Sequence, residues 1–476
     1  MGFDENVFIS GPSFHLDLSA LDARHPVHYS RRLLLFRCAS SVQRDAQLTA
    51  LKIGLRALVL RCPILGGICM PLQDEDPPDG ASNDRGDWRT IIPDKGVELV
   101  VRDLRSSIPS FEELKAADFP STQLPYNLLV PVPQDIGNDR PFAACKVQFS
   151  SINGGTILTW AMSHCVGDGS GNNELFRILS EETRRAQGHE SPGVGNECRS
   201  VTVTSDIGMD RTAVRSLSSK LSFNIEQHPA YMRKATDAVD PLPEEQATSH
   251  AFKATSPEIP VILHIPTVGL TQLKVDSTTP EAPPISTHDA LSALMWRTLL
   301  LIRSRRSREA RALVASTEGC LFMPSDARRD LDIPTSYIGN VVYQLTASLD
   351  LETLFSPFGL RCAARAVRQA ITAVNPALVT SCIAETKERW VDWGFLDSYS
   401  TTGVAMGTDW TSSELYNQDW GKSFGPLVRY RYPDEPSNCI MPKLPDGAAE
   451  VLVSVMPEEV DMLKGPEGFG KYLGSP

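Results

Sequence analysis

The segment TWAMSHCVGDGSG, residues 159–171, puts His164 four residues before Asp168 and sets Gly167, Gly169 and Gly171 around them. Imidazole is the side chain whose ordinary pKa lets it accept a proton near neutrality and return it within one turnover, so a histidine exposed by a glycine turn is a candidate general base. The glycines would let a ligand approach the backbone closely. Asp168 has two available jobs, orienting the imidazole or turning away to pair with an arginine. A satisfied core histidine at a strand end accounts for the same letters, and residue types alone leave the two readings level.

Other chemistries fit this stretch less well. A Ser-His-Asp hydrolase calls for a nucleophile elbow of the form GxSxG, and the chain has none. Cys165 adjoins His164, but neighbours on a strand point to opposite faces, so it reads as a buried thiol and a bystander. No HxH, HExxH or paired Cys/His spacing accompanies His164, so no metal is expected. GDGSGNN lacks the Lys-Ser/Thr of a phosphate loop, and Asp168 would repel the anion.

The elements that would carry His164 can be read from periodicity. CKVQFSSI and TILTWAM alternate on either side of Asn153-Gly154-Gly155, a hairpin signal whose second strand runs into the histidine. Leu175, Phe176 and Leu179 then recur at helical intervals, giving strand, glycine turn, helix. A core-facing helix is expected over 43–60, stopped by Pro63, and another after Ser286, Thr287 or Asp289, with Leu291, Leu294, Met295, Thr298, Leu299 and Ile302 inward. Strands are expected at 339–348 and 449–456. Residues 71–92 read as an exposed mobile loop, and 187–256 as a Pro/Gly-rich crossover with short helical potential from Arg211 to Leu221.

A chain of 476 residues, 41% hydrophobic and 22% charged, suits two domains. Its formal charge of −12 disfavours nucleic acid and anionic lipid as partners. The densest basic run, Arg303, Arg305, Arg306, Arg308 and Arg311, is expected to be a solvated helix end rather than a phosphate site. No secretory leader or apolar span is evident, and ten scattered cysteines read as reduced thiols, so the expectation is a cytoplasmic protein away from membranes.

HCVGDG matches the HxxxDG motif of the BAHD acyltransferases, and TDWTSSELYNQDWGKSFGP (408–426) resembles their second signature, TSW followed by DFGWGKP. STHDALSALMWR (286–297), SDARRDLDIPTSYIGNVV (325–342), LSALD (18–22) and LRALVLRCPILGG (55–67) are similar to further family segments in the same order. The stretched Asp419-Trp420-Gly421-Lys422-Ser423-Phe424-Gly425 loop resembles the fungal branch that includes trichothecene acetyltransferases. Condensation domains of peptide synthetases share HxxxDG but usually carry a histidine before it, where this chain has Ser163.

The resemblance implies an α/β (α+β) fold of two similar chloramphenicol-acetyltransferase-like domains with mixed sheets, 1–200 and 257–476, joined by a crossover over 201–256, with an active-site tunnel at their interface. It implies an acyl-CoA-dependent O-acyltransferase, with acetyl-CoA the default donor and a small secondary-metabolite alcohol the acceptor. Transfer would be direct, by a monomer without a permanent cofactor, with His164 the base. N-acylation, a carrier-protein donor and a catalytically silent metabolite-binding homologue are the alternatives. Asp419 enters the catalytic set with His164 through its motif, although the family places it in a loop supporting the CoA side, bent at Gly421 and Gly425. Asp168, beside Gly169, would pair with Arg328 of the D-x-R segment. Trp410 and Thr408 would line the substrate site, with Trp410 a candidate oxyanion donor or a packing residue.

Overall fold

The computed structural model describes residues 4–16, 18–23, 28–70, 90–134, 136, 140–188, 208–217, 221–231, 254–280, 282–388, 402–433 and 437–474. The expected loop at 71–92 lies outside these residues as far as 89, and its expected end is instead the start of a strand, Ile91–Pro93; most of the expected crossover also lies outside them. Contacts divide the chain into two units, one of 1–217, 332–341 and 414–434, the other of 218–331, 342–413 and 435–476. The expected boundaries, 1–200 and 257–476, differ from this division because two later segments return to the first unit. One of them is a strand, Arg429–Arg431, which pairs antiparallel with Leu33–Leu35 inside the first unit's sheet.

That sheet has six strands and is mixed. The hairpin forms as the Asn-Gly-Gly signal demands: Cys145–Ile152 pairs with Gly155–Ser163, and Gly154 takes a positive φ of 77° at the turn. Tyr29–Arg37 flanks Gly155–Ser163 on its other edge, Tyr29 opposite Ser163. Every residue of Gly155–Ser163 is buried, so the strand that delivers His164 is central and covered on both faces.

Two helices cover this sheet. Ser41–Arg61, capped by the Ser40 side chain, buries Leu51, Leu55, Leu58 and Val59, as the leucine spacing predicts. It packs on Gly169–Gln187 at Gly54, where a Cβ would lie 2.4 Å from Thr183 Oγ1 and 2.9 Å from its Cα. Buried Gln47 bolts the first helix to the sheet, accepting from Thr156 Oγ1 (3.0 Å) and donating to the Arg37 carbonyl (3.1 Å).

The second unit contains a three-stranded sheet, Val342–Asp350 and Gly403–Ala405 on either side of Glu318–Asp326, and a four-stranded sheet built on Ile259–Ile265 and Ala449–Val455. Both mix parallel and antiparallel pairs. Its long helix, Thr287–Ser304, starts at Ser286 with a reciprocal capping box to Asp289, resolving the three candidate caps. Between Arg211 and Leu221 the helix is short, Thr212–Arg215.

The arginine run is a solvated end only in part: Arg305, Arg308 and Arg311 are exposed, whereas Arg303 and Arg306 are partly buried. Arg306 is 5% exposed and bridges Glu459 (2.8 Å) and Glu258 (3.0 Å), Arg305 pairs with Glu467, and Arg303 donates to the Gly403 carbonyl. Internal acids supply the counter-charges that composition alone could not locate. The nine described cysteines are all free thiols.

Replacing Gly54 with alanine will separate the two helices or force strain at Thr183. A loss of about 1–3 kcal/mol is expected, read as a lowered midpoint in urea with unchanged m-value.

Candidate active site

From Gly155 to Asp168 every residue is buried except His164, which keeps partial exposure. The strand ends at Ser163, a turn follows, and Asp168 opens the helix Gly169–Gln187. The strand-turn-helix unit read from the sequence therefore exists, and it presents one imidazole. The His164 backbone N–H donates to the His28 carbonyl (3.0 Å), and the two histidine rings lie 4.7 Å apart between centroids.

The ring's other contact sets its chemistry. His164 Nδ1 lies 3.0 Å from Asn340 Oδ1. The Asn340 amide nitrogen donates to Asp22 Oδ1 and to the His164 carbonyl, both at 2.8 Å, and neither of those atoms can donate in return. The amide orientation is thus settled by its partners: Nδ2 faces two acceptors and Oδ1 faces the ring. Nδ1 must carry the proton, so Nε2 holds the lone pair. Desolvation pushes the His164 pKa down to about 4, against the pull of the Asn340 hydrogen bond, and the nearby Arg32 cation adds to the depression. The imidazole rests neutral near neutral pH.

Asn340 arrives on the segment 332–341, and the glycines explain how it fits. A Cβ on Gly167 would sit 2.0 Å from the Ile338 carbonyl oxygen, and one on Gly171 2.1 Å from the same atom. These two glycines make room for protein backbone, not for a ligand as their spacing suggested. Gly169 is the first residue of the helix.

Asp168 holds backbone on both sides of the histidine turn. Its Oδ1 accepts from Gly171 N (3.0 Å), capping the helix, and its Oδ2 accepts from Val341 N (2.9 Å). It is therefore a clasp between the histidine turn and the Asn340 segment. Arg328 lies in the second unit, where its guanidinium bridges to Asp326 (2.9 Å). Thr408 and Trp410 also lie there, on and just after the strand Thr408–Asp409, with Trp410 buried and donating its backbone N–H to the Ile440 carbonyl.

Asp419, expected in the catalytic set, lies at the opposite end of the helix Gly169–Gln187 from His164. Its carboxylate, 73% exposed, accepts from Gly421 N (2.8 Å) and lies 3.7 Å from Arg184. Arg184 is in the last turn of the helix whose first turn follows His164, about 20 Å away along a rise of about 1.5 Å per residue. No proton passes between groups so placed. Asp419 instead closes a loop that turns at Gly421 and Gly425, both at positive φ. Trp420 fills its underside against Phe36 and Phe424, and Gln187 grips it twice, donating to the Trp420 carbonyl and accepting from Ser423 N, both at 2.7 Å.

Residue-type reasoning singled out neither Asn340, Asp22, Arg211 nor His28. Asn340 and Asp22 do stand in the YIGN and LSALD stretches that carry the resemblance, and those were the available signal. Replacing Asp168 with asparagine sets an amide nitrogen against one of two backbone donors. The loss expected is about 1–3 kcal/mol, seen as a lower unfolding midpoint.

Comparison with known proteins agrees with this architecture. Residues 29–182 match the model of the trichothecene 3-O-acetyltransferase-like N-terminal domain, which spans the strands, histidine turn and helix just described. Trichothecene 3-O-acetyltransferase TRI101 of Fusarium sporotrichioides is 26% identical over 97% of this chain and 97% of its own. O-acyltransferase pigD of Monascus ruber is 25% identical over 94% and 96%. The chain is also 27% identical to enoyl-CoA isomerase/hydratase claC of Penicillium crustosum, covering 97% of itself and about half, 51%, of that protein. Among solved structures, F. sporotrichioides TRI101 complexed with coenzyme A and T-2 superposes with a TM-score of 0.76 at 22% identity over 96% of this chain and 99% of that one. Vinorine synthase superposes at 0.60 and 14% identity over 97% and 96%. The chain therefore has the mixed α/β fold of these BAHD-type acyltransferase structures, its residues 29–182 match the trichothecene 3-O-acetyltransferase-like N-terminal domain model, and its relatives include acyltransferases.

Proposed function

We propose that this chain transfers an acyl group, acetyl by default, from acyl-CoA directly to a hydroxyl of a small secondary metabolite, with His164 as general base. The observation that carries the reading is the His164–Asn340 contact, which leaves Nε2 unprotonated on the one partly exposed residue of an otherwise buried strand and turn. His164 Nε2 takes the hydroxyl proton as the oxygen attacks the thioester carbonyl carbon. The tetrahedral oxyanion then expels the CoA thiolate, the C–S bond breaks, and the imidazolium returns the proton to sulfur. No acyl-enzyme is formed. Cys165, the nearest thiol in sequence, is buried.

Relatives named as O-acyl- and O-acetyltransferases support oxygen as the acceptor atom, and coenzyme A in the related TRI101 structure supports the donor. Free and mostly buried thiols support a reducing, cytoplasmic setting. Among the described residues no helix is long and apolar enough to cross a membrane. Asp168 is assigned to the clasp, Asp419 with Gly421 and Gly425 to the loop, and Trp410 and Thr408 remain proposed for the substrate side.

Thiol release from acetyl-CoA in the presence of a panel of hydrophobic alcohols tests the reaction, and silence with every donor and acceptor rejects it. His164→Ala is expected to keep its fold and CoA binding while losing at least about 100-fold in turnover. Because burial lowers the imidazole pKa, the acid limb of kcat/KM should fall well below the ordinary value of about 6.5 and towards 4. The sign for stability is the same. The neutral ring's contribution is intact above about pH 6.5 and is lost as pH falls towards 4, because there the unfolded chain binds the proton and the native ring does not. An acid limb at or above 6.5 contradicts this assignment.

A further inference from the structure

Behind Asn340 lies a buried ionic pair that the proposed chemistry does not touch. Asp22 is fully buried at the C-terminal side of LSALD, in the short helix Ala20–Ala23. Its carboxylate accepts from Asn340 N and Nδ2, both 2.8 Å to Oδ1, and from Ser19 N and Oγ at 3.2 and 2.6 Å to Oδ2. Arg211 Nε lies 3.0 Å from the same Oδ2, and both side chains are essentially excluded from solvent. Arg211 also donates through Nη2 to the Val166 carbonyl (2.8 Å), inside the histidine turn. Four elements distant in sequence thus meet in one chain of contacts: Arg211, Asp22, Asn340, His164.

We infer that Asp22 and Arg211 are positioning residues that select the His164 tautomer by holding the Asn340 amide in one orientation. This rests on the reading of His164 as the base. The logic is one of donors and acceptors. An ionised carboxylate accepts only, so it can face the NH2 side of Asn340 and never its oxygen. Arg211 is the cation held against that carboxylate, its Nε 3.0 Å from Oδ2. With Nδ2 committed to Asp22 and the His164 carbonyl, Oδ1 is left for Nδ1–H, and Nε2 is left as the lone pair. The arrangement differs from a His-Asp dyad in that a neutral amide separates the carboxylate from the ring. Orientation passes along the chain, and the ring keeps the low basicity of a buried imidazole.

Asp22→Asn removes the acceptor-only group. Its amide can present either end to Asn340, so Asn340 can turn over, offer an N–H to Nδ1, and drive the proton to Nε2, where it blocks the base. Arg211→Met is expected to act one step earlier, by removing the group that ties the Asp22 carboxylate to the histidine turn and so releasing it from its place against Asn340.

The test is the ring itself. Protein labelled with 15N-histidine is examined by nitrogen NMR at neutral pH without substrate, His164 being assigned by the signals lost in His164→Ala. The wild type is expected to show Nδ1–H with unprotonated Nε2, and Asp22→Asn a mixed or reversed pattern. Its turnover is expected to fall at least about 10-fold with KM for acetyl-CoA within about two-fold. A folded Asp22→Asn protein with an unchanged nitrogen pattern overturns the inference. If that variant does not fold, Arg211→Met and the wild-type spectrum still decide, and a wild-type ring protonated at Nε2 overturns it outright. A wild type that releases no thiol with any alcohol rejects the acyltransferase reading instead, while the nitrogen pattern of the variants still supports or overturns the selection of the tautomer.

Discussion

A neutral imidazole has one nitrogen to give and one to receive, and everything around His164 serves to decide which is which. The Asn340 amide makes that decision with a single 3.0 Å contact. It can do so only because its own nitrogen is claimed by two groups that accept and never donate. The constraint is stereochemical as much as electrostatic: which nitrogen of His164 carries the proton is set by how a neutral amide is turned.

Holding that amide imposes demands on the rest of the first unit. The segment that carries Asn340 must lie against the histidine turn at backbone distance, which removes any side chain from positions 167 and 171. The same turn must be fixed at its helical end, where Asp168 caps Gly169–Gln187 with one oxygen and receives Val341 with the other. A central strand, covered on both faces, then sets the height of His164. The letters of the motif are here distributed between one partly exposed imidazole and several fasteners.

The second signature is a different kind of device. Its loop is anchored by three glutamines, Gln43 and Gln47 donating to the Ser423 carbonyl and Gln187 spanning Trp420 and Ser423, over a Trp-Phe-Phe cluster. Each glutamine lies at the far end of the helix that begins beside His164, or on the helix packed against it. Asp419 belongs to this support, and its exposure agrees with turn closure rather than chemistry.

Local order in the sequence determined a good deal. The Asn-Gly-Gly hairpin, the leucine stripe over Ser41–Arg61, the capped helix at Ser286 and the strand-turn-helix around His164 are set by contacts within a few residues, and periodicity reports those directly. Motif order along the chain pointed to the fold, because it samples many distant positions at once. Tertiary structure alone decided the rest. Arg306 became an interior ion pair rather than a solvated end, and Arg429–Arg431 crossed back to complete a sheet whose other strands all lie between Glu5 and Ser163. Asn340 and Asp22, 318 residues apart, joined in a hydrogen bond beside the His164 ring. A hydrogen bond across that separation leaves no mark on spacing or composition. Its partners are chosen by where the backbone folds, and neither residue's neighbours in sequence carry that information.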